Sequence, residues 1–290
     1  MFRHQTAIDA TDFVRQFQGT PCLYALCHEL LCVEVDNSLF LWNPSMRIYR
    51  KLPNPLFQAR DGIGIDWYDG YDFEVGIGQY NRYEFVYGLG YDSAADDYKI
   101  LKIPRMNSRC RETELYSLKR NCWRKIDSFS AKPSFSQERC EFVDGTFHWL
   151  TISATYSQAI IVSFCLSTEE YGEVVQPEYF PVPNLFGDDV LEVVAVRGML
   201  CVCVNYCRET RFVLWVMEEY GVERCWTKKF DIQYRSSRPY FPFPTSAESL
   251  FTLKPLYFYD NGDILIKVST DKCHLEIFMY KNDIAIPKDC

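Results

Sequence analysis

The stretch Phe258-Tyr259-Asp260-Asn261-Gly262-Asp263-Ile264-Leu265-Ile266-Lys267-Val268 decides the fold class. Asn261-Gly262 sits between two apolar runs and offers two residues that tolerate positive φ, which predicts a β-hairpin closed by a type I′ turn. Working outward, the pattern recurs. Phe142-Val143-Asp144-Gly145-Thr146-Phe147-His148-Trp149-Leu150 repeats it with Asp-Gly, Ala195 to Val204 repeats it around Arg197-Gly198, and Leu26 to Val33 is a copy that lacks the glycine. Hairpins are then followed by an apolar strand, a polar turn, an aromatic and another short strand. The segments are Leu39 to Pro44 leading to Tyr49, Glu114 to Leu118 leading to Trp123, Ile161 to Leu166 leading to Tyr171, Phe212 to Met217 leading to Trp226, and Leu275 to Tyr280.

Taking Trp123, Tyr171, Trp226 and Tyr280 as markers, the intervals are 48, 55 and 54 residues, close to the roughly 50 of a kelch-type blade. A twisted four-stranded sheet has two apolar faces and cannot cover both alone, whereas neighbouring sheets cover one another. The expected fold is therefore all-β: a kelch-like β-propeller of four-stranded antiparallel blades, five of them recognisable, and incomplete. The marker aromatics read as packing between blades. Helical periodicity appears only in Ala7 to Phe17 and Ser246 to Leu250.

Composition narrows the function. Of 290 residues, 48% are hydrophobic and 16% aromatic, and 31 Lys+Arg against 39 Asp+Glu leave a net charge of −8. That balance, without a basic run, gives a nucleic-acid backbone nothing to bind, so no nucleic-acid partner is expected. The longest apolar stretches, such as Phe212 to Met217, fall far short of the roughly 20 residues of a membrane span. The N-terminus lacks the charged and apolar segments of a signal peptide. Thirteen cysteines are an odd count, and the one Asn-X-Ser motif is blocked by Pro44. Reduced thiols in the cytoplasm or nucleus are expected.

Catalytic and metal-binding patterns are weak. Cys201 and Cys203 alternate onto one strand face, with Cys207 near, but no second Cys or His pair completes a metal site. Cys22, Cys27 and Cys32 fare no better beside His28. Cys273 and His274 are adjacent in a predicted strand and point to opposite faces, which separates a thiol from its base. No nucleophile elbow exists, the Gly-x-Gly pairs at Gly62 and Gly76 do not join a strand to a helix, and His148 reads as a strand residue with local hydrogen bonds. Asp96-Asp97 and Glu218-Glu219 read as solvated turn charge. The expectation is a chain with no cofactor, no metal and no catalytic residues.

One interval breaks the period: Tyr49 to Trp123 spans 74 residues. The excess lies in Gln58 to Tyr83, and a second unusual connection runs from Gln233 to Thr245. Binding residues concentrate on loops held by a rigid scaffold, and aromatics are enriched at interface hot spots. Candidate partner-binding residues are Trp67, Tyr68, Tyr71 and Phe73 in the first connection, and Arg238, Tyr240 and Phe241 in the second. Asp66, Asp69, Asp72 and Glu74 would favour a basic or aromatic-accepting partner. A disordered insertion is an equal reading of the first connection, and a strand entering the next blade is one of the second.

Phe40-Leu41-Trp42-Asn43-Pro44-Ser45-Met46-Arg47-Ile48-Tyr49-Arg50-Lys51-Leu52-Pro53 resembles the LWNPSTRKYRKLP signature of the plant F-box-associated interaction domain. Tyr87 to Asp92 with Asp96 to Ile100 is similar to its GFGYDS and DDYKVV segments, and Glu114 to Arg124 to VYSLKTNSWR. Val143 to Leu150 resembles VNGALHWL, Ile161 to Tyr171 resembles ILSFDLSTEEY, and Trp215 to Lys228 resembles WVMKEYGVKESWTK. The matches run in the family's order over roughly Leu26 to Phe278.

The resemblance implies a non-catalytic substrate-recognition module of a Skp, cullin and F-box (SCF) ubiquitin ligase. It implies a linker and helix remnant over residues 1–20, with Ile8 to Phe17 similar to the helix after an F-box, and a propeller domain over residues 21–290. The F-box itself is not recognisable, nor is the blade before the Cys27 hairpin. Three readings follow. The chain presents a protein substrate to a ligase, with Skp-type adaptor and cullin as partners only if the full-length protein has an F-box. Alternatively, it is a truncated member that binds substrate without recruiting the ligase. From another class, it is a propeller hydrolase or lyase, a reading that the apolar and small first strands of the blades disfavour.

Overall fold

Alternating apolar and polar residues between tight turns build nineteen strands among the described residues, where no helix occurs. A computed structural model describes residues 21–57, 85–105, 108, 110–130, 133, 139–152, 159–176, 190–206, 209–222, 225–233, 251–270 and 275–280. The helices expected over Ala7 to Phe17 and Ser246 to Leu250 lie outside the described residues, as do Cys273 and His274.

Sheet 1 holds β1 (Cys22–Cys27), β2 (Leu30–Val35), β3 (Ser38–Asn43) and β4 (Ile48–Lys51). Sheet 2 holds β5 (Phe85–Asp92), β6 (Asp97–Pro104), β7 (Thr113–Ser117) and β8 (Cys122–Ile126). Sheet 3 holds β9 (Glu141–Val143), β10 (Thr146–Ile152), β11 (Ala159–Cys165) and β12 (Tyr171–Val174). Sheet 4 holds β13 (Val190–Val196), β14 (Met199–Tyr206), β15 (Arg211–Met217) and β16 (Trp226–Gln233). Sheet 5 pairs β17 (Phe251–Phe258), β18 (Ile264–Thr270) and β19 (Leu275–Tyr280). Every sheet is an antiparallel meander in chain order, as the repeat predicts. Sheets 1 to 3 form one compact unit, and sheets 4 and 5 belong to a second.

The turns follow the residues that can occupy positive φ. Asp144-Gly145 and Arg197-Gly198 sit at φ 48° and 74°, and 53° and 76°, the two-residue I′ pattern. The hairpin that lacks its glycine closes with His28 at φ 53°. The expectation for Asn261-Gly262 is corrected: only Gly262 has positive φ, at 88°. Its amide bonds Tyr259 O at 3.0 Å while Tyr259 N bonds Asp263 O at 2.8 Å, so the loop is three residues long. Asn261 Oδ1 accepts from Asp263 N at 3.1 Å, a local bond that holds Asn261 outside the left-handed region.

In the first unit the sheets pack through shared apolar clusters. Leu41, Tyr87, Ile100 and Tyr116 join sheets 1 and 2, and Val86, Leu101, Phe147 and Trp149 join sheets 2 and 3. Two glycines on β5 make the second contact possible. A Cβ at Gly90 would lie 2.6 Å from the Phe142 ring, and one at Gly88 would lie 2.8 Å from Phe147. In the second unit Val194, Cys203, Phe212 and Ile266 share a cluster. Cys201 and Cys203 both belong to it, on one strand face as alternation requires. The first strands are less uniformly apolar than expected, because Glu192 on β13 and Lys254 on β17 are buried and 3.8 Å apart.

Candidate functional site

An up-and-down meander sends successive connections to opposite ends of its strands. In the first unit, cross-sheet bonds show which ends coincide. His28 Nδ1 lies 3.1 Å from Tyr98 Oη, and Lys99 Nζ donates to Leu166 O at 3.2 Å. One end therefore gathers the short turns 28–29, 44–47, 93–96, 118–121, 144–145 and 166–170, and the other gathers the turn 36–37 and the points where the chain leaves β4, β6, β8 and β10 for its longer connections.

The short-turn end is tied down by its own side chains. Asn43 Oδ1 accepts from Met46 N at 2.9 Å, Asp92 Oδ1 from Ala94 N at 3.0 Å, and Ser117 Oγ from Arg120 N at 3.1 Å. Cys165 takes the corresponding place, 3.2 Å from Ser167 Oγ, and that bond, with others from the turn, lowers its thiol to about 7. Asp97 corrects the reading of Asp96-Asp97 as solvated charge: it is buried, takes a 2.5 Å bond from Ser117 Oγ, and accepts from Lys119 N at 2.8 Å. His148 is fully buried, and burial pushes its pKa down to about 4 against weaker backbone contacts at Glu141 and Thr146.

The long-connection end carries a repeated device. Trp123 Nε1 donates to Pro53 O at 2.8 Å, and Tyr171 Oη donates to Asp127 O at 2.6 Å. Each fourth-strand aromatic thus holds the chain that has just left the preceding sheet. Within the second unit Trp226 Nε1 does the same to Val175 O at 2.7 Å. Trp123 and Tyr171 pack between sheets, as expected, whereas Tyr49 packs within sheet 1 and the Tyr280 side chain lies outside the described residues; the polar tips of Trp123, Tyr171 and Trp226 add a bond that phenylalanine could not make.

Beside these stitches the two sheet junctions differ. Tyr116 pairs with Trp123, and Phe164 pairs with Tyr171. Two residues back along β7 and β11, the pair Lys102 and Glu114 in sheet 2 therefore corresponds to Trp149 and Val162 in sheet 3. Lys102 and Glu114 are buried and 2.8 Å apart. The ammonium lies 3.9 Å from the centroid of the Phe85 ring and also donates to Phe57 O, while Glu114 Oε1 accepts from Leu56 N at 2.7 Å. Burial depresses the Lys102 pKa, and Glu114 opposes that shift. Together Lys102 and Glu114 hold the base of the long connection that begins at residue 52.

At the other junction the chain leaving β8 packs Phe129 against Tyr171, ring centroids 5.6 Å apart, and Pro133 bridges Thr151 on β10. A cavity of about 160 Å³ opens there, lined by Ile103, Pro104, Thr113, Trp149 and Tyr171 within and by Arg111 at the rim. Ser128 Oγ closes one wall, 3.0 Å from Thr113 Oγ1 and accepting from Thr113 N at 3.1 Å.

The sequence-predicted binding residues Trp67, Tyr68, Tyr71, Phe73, Arg238, Tyr240 and Phe241 lie outside the described residues. Residues 52–57, which lead into the first of those segments, belong to the long-connection end. Lys102 and Glu114 were missed. Their signal was legible as two charges at inward positions, Lys102 in alternation with Ile100 and Glu114 in alternation with Tyr116. The fate of the Trp149 indole had no signal in the sequence. Among the described residues, no group of His, Cys, Asp and Glu side chains could hold a metal ion.

Comparison with known proteins gives this geometry a family. The F-box associated beta propeller domain model matches residues 9–283. An F-box/kelch-repeat protein of Arabidopsis thaliana is 28% identical over 213 residues, covering 71% of this chain and 51% of its own. The F-box protein CPR1 of Arabidopsis thaliana is 27% identical over 256 residues, covering 81% and 55%. The chain spans about half the length of these curated relatives. Among solved structures, the tricorn protease aligns at a TM-score of 0.46 and 10% identity over 91% of this chain and 22% of that one, too loose a likeness to carry any argument. The match runs through all five sheets, from before β1 to beyond β19, and the chain belongs to the F-box associated β-propeller domain family.

Proposed function

We propose that residues 21–290 act as one non-catalytic protein-binding domain that holds substrates for an SCF-type ubiquitin ligase. The observation that carries this reading is the family match over residues 9–283, with relatives named as F-box proteins. The division of labour in the first unit supports it. One end of the strands is closed by short, self-bonded turns, and from the other the chain leaves β4 through residues 52–57, which lead toward the segment that contains Trp67, Tyr68, Tyr71 and Phe73. The odd count of thirteen cysteines supports a place in the cytoplasm or nucleus.

The test is affinity purification from plant cells of the tagged chain, alone and fused behind a relative's F-box. The fusion is expected to recover Skp adaptor and cullin, and both forms to recover a shared set of further proteins. Those proteins should fall in abundance when the fusion is expressed and return on proteasome inhibition. No shared set, or a shared set whose turnover ignores the fusion, would overturn the reading. Adaptor recovered by the chain alone would show direct recruitment, and its absence would make the chain a competitor of full-length relatives.

A further inference from the structure

We infer that Leu256, Tyr257 and Tyr259 on β17, with Arg197 beside them, form a docking surface for a proline-rich segment of the partner in the polyproline II conformation, an inference that rests on the protein-binding reading above. The surface lies within the second unit, on sheet 5 and the β13–β14 turn. A bulge creates it. Pro255 pairs with Ile266 and Tyr257 with Leu265, so Leu256 is an extra residue without a register partner on β18. One extra residue reverses the alternation of a strand between its two faces. Leu253 before the bulge and Phe258 after it therefore both pack in the cluster of sheets 4 and 5, and Tyr257 and Tyr259 turn to the opposite face. Leu256, Tyr257 and Tyr259 are 40%, 42% and 37% exposed. Single exposed apolar residues need no explanation, whereas a contiguous group of them marks an interaction site.

The chemistry of the surface selects its ligand. The Tyr257 and Tyr259 rings stand 5.0 Å apart at 69°, a corner of two ring surfaces that fits a pyrrolidine ring. Neither hydroxyl has a hydrogen-bond partner among the described residues, so two donors remain for a ligand. The Arg197 guanidinium donates to Phe258 O at 3.1 Å and to Asp260 Oδ1 at 2.7 Å, and lies 5.4 Å from the centroid of the Tyr257 ring. It thus fixes the tyrosine while its own charge is met, and these residues present no unpaired charge to recruit a charged ligand. An added strand does not fit: among the described residues β17 pairs only with β18, but the bulge interrupts the edge that a new ladder would need. A helix satisfies its own backbone and offers the hydroxyls no acceptor. A polyproline II segment carries unpaired carbonyls in a preformed shape and docks on aromatic surfaces.

The full chain, labelled with 13C at its tyrosine rings, is titrated with an N-acetylated proline octamer and with a glycine-serine octamer. Tyr257→Phe and Tyr259→Phe assign the two ring signals by their loss. The proline octamer should move both signals saturably, and the glycine-serine octamer should move neither. Each phenylalanine variant should bind about fivefold more weakly, the worth of one hydrogen bond, and Tyr257→Ala or Tyr259→Ala about tenfold or more. Binding should be equal at low and high salt, because no charge contributes. Unmoved signals, an equal response to the glycine-serine octamer, or alanine variants that bind like the native chain would overturn the inference. Signals that ignore the octamer but move when Pro239, Pro242 and Pro244 are replaced by alanine would make the chain's own segment the occupant, and would overturn it too. The titration needs no ligase component, so its failure leaves the wider reading standing. Shared proteins recovered in full by the Tyr257→Ala chain would likewise remove only this surface as their anchor.

Discussion

The two sheet junctions of the first unit share one plan and reach opposite outcomes. At both, a fourth-strand aromatic bonds the backbone of the departing chain, Trp123 to Pro53 and Tyr171 to Asp127. At the first, a buried Lys102–Glu114 pair draws Leu56 and Phe57 into place. At the second, Trp149 and Val162 occupy the same register and a cavity remains. A repeat therefore fixes where neighbouring sheets meet, while the residues at one register position differ between a buried ion pair at one junction and an indole at the other.

The sharpest way to break this contrast is to remove the seal. Lys102→Met leaves Glu114 buried without its cation, and urea unfolding should show a loss of about 3–5 kcal/mol. The double change with Glu114→Leu should recover most of it, since an apolar pair avoids desolvating two charges. A double variant as unstable as the single one would mean that the pair is not what holds the seam.

The second junction should answer to volume rather than charge. Gly90→Ala places a Cβ 2.6 Å from the Phe142 ring, and overpacking of this kind costs up to about 3 kcal/mol. Thermal unfolding of that variant measures it. The pairing Gly90→Ala with Phe142→Leu should restore part of the loss, because the smaller side chain opens the space.

Acid should act on sheet 3 through His148. The folded chain keeps it neutral down to about pH 4, whereas the unfolded chain protonates near 6.5. The unfolded state binds the extra proton between those values, so stability is full above 6.5 and falls as pH falls through the window. Between pH 6.5 and 5 the loss should be about 2 kcal/mol. Denaturation midpoints across that range should decline more steeply for the native chain than for His148→Gln, and equal slopes would remove His148 as the cause.

The smallest effect tests what the junctions share. Tyr171→Phe and Trp123→Phe each delete one stitch while keeping an aromatic ring, at a cost of about 1 kcal/mol beyond any change in packing. Similar losses in the two variants would confirm a common device, and a loss at only one junction would confine it there.

The sequence made the sheets legible because strands, turns and marker aromatics are local. Asp144-Gly145 and Arg197-Gly198 tolerate positive φ by virtue of their own backbone, and both turns formed as read. Asn261-Gly262 departed because the Asn261 side chain bonded Asp263 N, a competitor two residues away that the dipeptide rule ignores. Asp97 departed for a longer-range reason: Ser117 on β7 and the amide of Lys119 reach it only once β6 and β7 are paired.

By itself, then, the sequence determined the all-β class, the order of the meanders, the place of each marker aromatic and the family, since these follow from short-range periodicity and from matched segments in order. Only the tertiary structure decided which charges became a buried pair, which backbone carbonyls the aromatics bond, and where a cavity remained. Those outcomes depend on residues far apart in the chain meeting across a packed interface. Lys102 finds Phe57 while the Trp149 indole finds no acceptor among the described residues, and neither event is written in the residues that flank them.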